Sequence, residues 1–98
     1  MAYLNQDQLN GMGFKAIGVN VKISEKASIY NADQIDIGDN SRIDDFCVVS
    51  GRVKIGHHVH ITPHCLIAGG EKGVVFDDFS AIAYGVKIFS QSDDYSGL

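Results

Sequence analysis

Residues 37–67 read IGDNSRIDDFCVVSGRVKIGHHVHITPHCLI, and a branched aliphatic side chain stands at every sixth position of this stretch. The six positions are Ile37, Ile43, Val49, Ile55, Ile61 and Ile67. An α-helix repeats about every 3.6 residues and a β-strand every 2, so neither element alone produces this spacing. A six-residue repeat instead predicts a strand of about four residues followed by a bend, with one side chain per repeat pointing inward.

The same spacing continues on both sides of this stretch. It runs through Ile17, Ile23, Ile29 and Ile35 before a shift of two residues, and through Phe76, Ile82 and Ile88 after the insertion AGGEKG. Three repeats make one coil, and stacked coils predict three parallel sheets around aliphatic rows. The alternative, a β-sandwich, would show alternating polarity and hairpin dipeptides such as Asn-Gly, but Asn10-Gly11 is the only Asn-Gly dipeptide in the sequence.

The N-terminal segment has the pattern of a short helix. Asn5 is a suitable N-cap with Gln8 three residues later, Leu4 and Leu9 can pack across the cap, and Gly11 ends the helix. A solenoid needs a cover over its first coil. We therefore predict a cap helix and linker over residues 1–16 and a repeat region over residues 17–98.

The composition favours a water-soluble protein without an electrostatic partner. The net charge is −4 and the eight Lys and Arg residues are scattered, which argues against nucleic acid or an anionic membrane as a partner. No apolar run approaches membrane-spanning length, and no signal peptide is visible. Cys47 and Cys65 are one coil apart, and we expect both to be buried, reduced thiols in a cytoplasmic protein.

Four histidines lie close together in GHHVHITPH, residues 56–64. Imidazoles bind zinc readily, so a metal site is one reading of this segment. In the six-residue frame, however, His57, His58 and His64 fall at corners and His60 faces outward. Their side chains should diverge, and we predict no metal site.

The repeats, the insertion and the tail VKIFSQSDDYSG resemble the hexapeptide-repeat sugar O-acetyltransferases, the galactoside and maltose acetyltransferases and their relatives. The resemblance covers residues 17–98. It implies an all-β, left-handed parallel β-helix, a homotrimer, acetyl-CoA as acyl donor and a sugar hydroxyl as acceptor. Family members continue for several more coils than the roughly four found here.

The resemblance also implies where the site residues lie. The family's general base is a histidine in the loop after the strand that matches residues 86–89, and in this sequence that position falls on or next to Asp93. The family's acceptor-binding asparagine falls on Thr62. We therefore expect Asp93 at the position of the base, and an acceptor pocket formed in this or a neighbouring subunit by His60, Thr62, His64, Asp94 and Tyr95.

Two functions remain open from the sequence. The first is an acetyl-CoA-dependent sugar O-acetyltransferase, either truncated, since further coils are missing, or inactive as it stands, since the histidine is missing. The second is a non-catalytic β-helical trimer that serves in binding or assembly. In both cases we expect self-association, with three prisms packed side by side through outward residues such as Phe46, Phe79 and Tyr84, and with two trimers stacked as a hexamer if the open ends also meet.

Overall fold

A computed structural model describes residues 2–90 of the chain, which form one short helix and a stack of short parallel strands. The helix α1 spans Gln6–Gly11. The strands are β1 (Ala16–Ile17), β2 (Lys22–Ile23), β3 (Ser28–Ile29), β4 (Ile35–Ile37), β5 (Arg42–Ile43), β6 (Val48–Ser50), β7 (Val53–Ile55), β8 (His60–Ile61), β9 (Leu66–Ala68), β10 (Val74–Phe76), β11 (Ala81–Ile82) and β12 (Lys87–Phe89). Each strand has two or three residues, so the predicted length of about four was too long. The corners between strands occupy the remaining positions of each repeat.

The strands form three four-stranded parallel sheets, as the six-residue repeat predicted. Their strand orders are β1-β4-β7-β10, β2-β5-β8-β11 and β3-β6-β9-β12, so every third strand joins the same sheet. The fold is the predicted all-β left-handed parallel β-helix with a short N-terminal helix. We call the sheet made of β2, β5, β8 and β11 the second sheet.

The aliphatic side chains stack in rows along the axis. One row contains Ile17, Ile37, Ile55 and Phe76, a second contains Ile23, Ile43, Ile61 and Ile82, and a third contains Ile29, Val49, Ile67 and Ile88. The middle rungs are sealed from solvent, since Ile43, Val49, Ile61 and Ile67 are at most 1% exposed. The predicted register, with Ile37, Ile55 and Phe76 at the start of successive coils, is therefore confirmed.

Within residues 2–90, only the turn from Ile37 to its partner Ile55 has the ideal length of 18 residues. The preceding turn begins at Ile17 and is two residues longer because a single turn of 3₁₀-helix, Ala32–Gln34, is inserted at its last corner. The following turn is three residues longer because the insertion bulges outward, where the amide of Gly73 donates to the carbonyl of Gly69 over 2.8 Å. These two additions are the physical cause of the two shifts in the repeat.

The corners impose their own residue requirements. Asn20, Asn40, His58 and Phe79 follow one another along one corner, and all four have positive φ angles between 55° and 63°. Asparagine tolerates this left-handed conformation better than most residues. At a neighbouring position the coils approach so closely that a Cβ added to Gly38 would lie 2.6 Å from the carbonyl carbon of Gly56. Glycine is therefore required there.

The N-terminal helix begins with the predicted cap. Asn5 accepts a hydrogen bond from the amide of Gln8, and the Gln8 side chain accepts one from the amide of Asn5, both over 2.8 Å. Leu9 is 1% exposed and packs on the core. Before the helix, the amide of Leu4 donates to the carbonyl of Ile23 over 2.8 Å. The N-terminal segment therefore pairs with the edge strand β2, which the sequence pattern did not predict.

Candidate active site

The polar residues of the second sheet lie in two rows on its outer surface. Each strand contributes one outward residue before the buried aliphatic and one after it, because side chains alternate along a strand. The row before the aliphatic contains Lys22, Arg42, His60 and Ala81. The row after it contains Ser24, Asp44, Thr62 and Ala83, since these follow the four paired aliphatics directly. Predicted site residues His60 and Thr62 therefore flank Ile61 on one surface.

The most tightly connected group on this surface consists of Tyr3, Arg42, Asp44 and His60, which we call the Asp44 cluster. Asp44 is 3% exposed. Its Oδ2 lies 2.6 Å from His60 Nε2, and its Oδ1 lies 3.2 Å from Arg42 Nε. The Tyr3 hydroxyl donates to the same Oδ1 over 3.4 Å. A buried carboxylate is costly unless it is paired and hydrogen-bonded, and these three neighbours satisfy that need.

His60 Nε2 lies between a carboxylate and a guanidinium group. Besides its contact with Asp44, it lies 2.7 Å from Arg42 Nη2. A hydrogen on Nε2 would be donated to the carboxylate, whereas a lone pair on Nε2 would accept from the guanidinium. The position of one proton therefore decides which neighbour binds the ring. In both states His60 is held in place, which is what a binding residue on an open sheet surface requires.

Tyr3 connects the N-terminal segment to this cluster. Burial raises the pKa of the Tyr3 phenol above its ordinary value of 10.0, the positive charge of Arg42 opposes the shift, and the negative charge of Asp44 adds to it. The ammonium group of Lys22 lies 5.9 Å from the centre of the Tyr3 ring. The phenol thus remains a hydrogen-bond donor to Asp44 at neutral pH.

Thr62 lies beside Asp44 on the next rung, but its hydroxyl is used within the coil. Thr62 Oγ1 donates to the carbonyl of Ile82 over 2.5 Å. It can offer a ligand its methyl group and the two acceptor lone pairs of the hydroxyl. The structure places Thr62 on the same surface as His60, one residue beyond Ile61.

His64 lies in a different environment. It is a corner residue with a φ angle of 64°, and its ring lies between two exposed aromatic rings, with centroid distances of 5.1 Å to Phe46 and 5.3 Å to Tyr84. The His58 ring is stacked on Phe79 at another corner, with a centroid distance of 4.9 Å. His57 Nδ1 accepts from the amide of Asp39 over 2.8 Å. Within residues 2–90, no three His, Cys, Asp or Glu side chains are grouped so that they could hold a metal ion.

The two cysteines are free and buried, as predicted. The Cys47 thiol donates to the carbonyl of Thr62 over 3.1 Å, and the Cys65 thiol donates to the carbonyl of Ala83 over 3.2 Å. Burial raises the pKa of the Cys47 thiol, so it is a poor nucleophile at neutral pH. Both residues act as small core side chains.

Three predicted site residues, Asp93, Asp94 and Tyr95, lie outside the described residues 2–90. Conversely, the sequence analysis did not identify Arg42, Asp44 or Tyr3. Arg42 stands 18 residues before His60, one ideal coil, so that spacing could have revealed their contact. The contact of Tyr3 depends on the pairing of the N-terminal segment with β2, for which the sequence carries no periodic signal.

Comparison with known proteins finds similarity to transferases that have six-residue repeats. A family described as bacterial transferase hexapeptide (six repeats) matches residues 35–69. The chain is 49% identical, over 99% of its length, to an Escherichia coli dTDP-4-amino-4,6-dideoxy-D-glucose acyltransferase, of which it covers 52%. The chain is thus similar to hexapeptide-repeat transferases over residues 35–69 and to a sugar acyltransferase over about half of that relative's length.

Solved structures of AntD, an N-acyltransferase from Bacillus cereus, are also similar. This chain aligns with the AntD complex with dTDP and 3-hydroxybutyryl-CoA at a TM-score of 0.91 and 45% sequence identity. The alignment covers 97% of this chain and 50% of AntD. A variant with dTDP-4-amino-4,6-dideoxyglucose and coenzyme A has a TM-score of 0.92 and 46% identity, with 98% and 52% coverage. The chain thus spans about half the length of the relatives it matches. Among the described residues, no helix is long and apolar enough to cross a membrane.

Proposed function

We propose that the chain provides part of an acyltransferase that moves an acyl group from a coenzyme A thioester to the amino group of a nucleotide-linked sugar. The observation that carries this proposal is the 49% identity to the E. coli acyltransferase, which extends over 99% of this chain. The acceptor in the name of that relative is an amino sugar. The sequence resemblance had suggested a sugar hydroxyl as the acceptor group. The proposal replaces that hydroxyl with the amino group of the sugar.

The proposed reaction is an aminolysis of a thioester. The neutral amine of the sugar attacks the carbonyl carbon of the thioester, a carbon–nitrogen bond forms, and the carbon–sulfur bond breaks. The nitrogen loses one proton, and the departing sulfur of coenzyme A leaves as the thiol once it has gained a proton. A base near the amine and hydrogen-bond donors near the carbonyl oxygen would speed this reaction.

An amine acceptor also suits the residue expected at the position of the base. A carboxylate with a pKa near the usual value of about 3.9 is a poor base for a hydroxyl. An amine needs no deprotonation before it attacks, and its nitrogen becomes strongly acidic once the bond has formed. A weak base can then accept the proton. We therefore propose Asp93 as that base, and Asp94 and Tyr95 as residues that bind the acceptor.

The Asp44 cluster supports an acceptor-binding role for the second sheet. His60 is fixed by a carboxylate 2.6 Å away and a guanidinium group 2.7 Å away, so it offers a rigid polar edge. We propose that His60 and Thr62 contact the acceptor, and that His64 does so from this or a neighbouring subunit. Binding groups held by their own neighbours position a substrate more accurately than mobile ones.

Self-association is the second part of the proposal. Phe46, Phe79 and Tyr84 are 53%, 77% and 69% exposed. Exposed aromatic rings arranged along the corners of a prism favour packing against another protein surface. We propose a homotrimer, with stacking into a hexamer as the alternative assembly. A cytoplasmic location is supported by the two free thiols.

An acyl-transfer assay tests the function. The chain is incubated with acetyl-CoA and dTDP-4-amino-4,6-dideoxyglucose, release of the coenzyme A thiol is followed with a thiol reagent, and the product is identified by mass spectrometry. The expected result is thiol release that requires the amino sugar and yields its N-acetyl derivative. A dTDP-sugar with a hydroxyl in place of the amine serves as the control acceptor. A folded chain that releases no thiol above background hydrolysis with the amino sugar would contradict the proposal.

A variant pair tests the role of His60 in the same assay. His60→Ala should raise the KM for the amino sugar by about tenfold, the effect of losing one hydrogen bond to a charged group. His57→Ala is the matched control, because its Nδ1 accepts from the amide of Asp39 and not from the Asp44 cluster. Equal KM values for the two variants would remove His60 from the proposed acceptor site.

A further inference from the structure

The outward row of the second sheet carries three basic side chains in register. Lys22 is paired with Arg42, and Arg42 is paired with His60, on three successive rungs. Parallel strands lie about 4.8 Å apart, so the row is about 10 Å long between its outer Cα atoms. The chain as a whole has a net charge of −4. This row of basic side chains therefore gives the second sheet a local positive charge in a chain that is negative overall.

The row forms one side of a groove of about 310 Å³. The other side is the corner of left-handed residues next to the sheet. The groove is lined by Asn20, Lys22, Asn40, Ser41, Arg42, His58, Val59 and His60. No carboxylate is among these residues, and all except Val59 have polar side chains. A groove with cationic and amide groups and without carboxylates fits an anionic ligand.

Two of the three bases keep hydrogen-bonding capacity for such a ligand. Within residues 2–90, Lys22 has no salt-bridge partner, and its ammonium group makes only a long contact with the Tyr3 ring. Arg42 uses Nε for Asp44 and Nη2 for His60, which leaves the Nη1 amino group of its 43% exposed side chain for a ligand. Asp44 offsets one positive charge from the opposite side of the row. The groove therefore retains positive charge, with a lysine and an arginine on adjacent rungs.

We propose that this groove binds the diphosphate of a nucleotide ligand, with Lys22 and Arg42 as its phosphate contacts. The proposal rests on the proposed function, which requires two diphosphate-containing ligands. These are the dTDP-linked sugar and coenzyme A. Arginine binds phosphate oxygens through two parallel hydrogen bonds, and lysine adds a point charge. Two such residues about 4.8 Å apart along a strand-to-strand row suit two linked phosphates.

Calorimetric titration of the full chain tests the groove with four probes: inorganic pyrophosphate, dTDP, coenzyme A and thymidine. Pyrophosphate should bind, and dTDP should bind at least about tenfold more tightly than thymidine, with an affinity that falls as salt is added. Lys22→Gln should weaken binding of pyrophosphate and of one or both nucleotides about tenfold. Lys22→Arg should retain it. The matched control is Lys87→Gln, which removes an exposed lysine from β12 on another sheet.

The outcomes separate the two ligands and the two proposals. A loss for dTDP alone assigns the groove to the sugar nucleotide, a loss for coenzyme A alone assigns it to the acyl donor, and a loss for both makes it a shared diphosphate site. If pyrophosphate binding depends on Lys22 while neither nucleotide binds, the groove is a diphosphate site, but its nucleotide ligand and the proposed function are both refuted. If both nucleotides bind and Lys22→Gln changes nothing, the groove is refuted and the proposed function survives. The absence of binding by any phosphate probe would also refute the groove.

Discussion

Asp44 shows how a single residue connects the fold to the candidate site. Its position after Ile43 places it on the outer surface of the second sheet, yet it is only 3% exposed because Tyr3, Arg42 and His60 surround it. A surface position in the repeat has thus become a buried ionic cluster. The sequence pattern predicted the outward direction of His60 but not this burial, because the covering side chain comes from the N-terminal segment.

Asp44→Asn should lower the free energy of unfolding by about 1–3 kcal/mol, because it removes the charged partner of Arg42 and His60. Urea unfolding followed by circular dichroism measures the change. Asp36→Asn is the control, since Asp36 is more exposed and its nearest cation, Lys15, is 4.0 Å away, so a change below about 0.5 kcal/mol is expected. Equal losses for the two variants would mean that the Asp44 cluster contributes no special stability.

Tyr3 should make stability depend on pH in the alkaline range. Its pKa is raised above 10.0 in the folded chain, so the folded state holds this proton more tightly than the unfolded state does. The stabilisation is complete below pH 10.0 and is lost as the pH rises through the raised pKa. Tyr3→Phe should therefore lose less stability between pH 8 and pH 11 than the unmodified chain.

Urea unfolding at the two pH values measures this difference. Tyr30→Phe is the control, because the Tyr30 side chain is 58% exposed, and it should lose as much stability as the unmodified chain. A Tyr3→Phe variant with the same loss as Tyr30→Phe would show that the Tyr3 phenol does not titrate differently in the folded state.

At the scale of the strands and corners, most of the fold follows from the six-residue spacing. The spacing identified all three aliphatic rows, and the inserted segment was recognised as a break in them. The spacing could not give the strand lengths, since the corners, which include left-handed residues such as His58 and Phe79, occupy the rest of each repeat. The spacing also could not show that Ile35 pairs with Val53, next to the pair of Ile37 and Ile55. The 3₁₀ turn before Ile35 shifts the six-residue repeat by two residues at this point.

Ile43→Asp should unfold the protein, because it places a carboxylate in a row where Ile43 is 1% exposed between Ile23 and Ile61. The cost of several kcal/mol is a large part of a typical total of about 5–15 kcal/mol. Circular dichroism and the loss of a cooperative thermal transition measure it. Val75→Asp is the matched control, since Val75 points outward from β10 and is 66% exposed. An Ile43→Asp variant as folded and soluble as Val75→Asp would refute the register.

At the scale of the whole molecule, aromatic side chains mark the corners of the prism. Phe46 lies beneath Lys26, whose ammonium group is 5.7 Å from the ring centre, and continues into the His64 and Tyr84 rings. The pair of His58 and Phe79 occupies another corner. The repeat requires only compact side chains at these corners, and we propose that the larger rings pack against another copy of the chain.

We therefore expect a trimer with a mass about three times the 10.6 kDa of one chain. Light scattering at low micromolar concentration measures it, and a mass near six chains would indicate stacked trimers. Phe79→Asn should weaken the assembly, because asparagine tolerates the φ angle of 63° at this corner but removes the exposed ring. Val19→Asn changes another exposed apolar residue and should leave the mass unchanged. A stable monomer of the unmodified chain would contradict the expectation.

The most direct test of the proposed acyltransferase function is isothermal titration of the chain with acetyl-CoA. The chain shares 45% identity and a TM-score of 0.91 with AntD, which was crystallised with dTDP and 3-hydroxybutyryl-CoA. We expect saturable binding of acetyl-CoA with a dissociation constant in the micromolar range, about −8 kcal/mol in free energy. A folded chain that binds no acetyl-CoA up to millimolar concentration would contradict the proposed function.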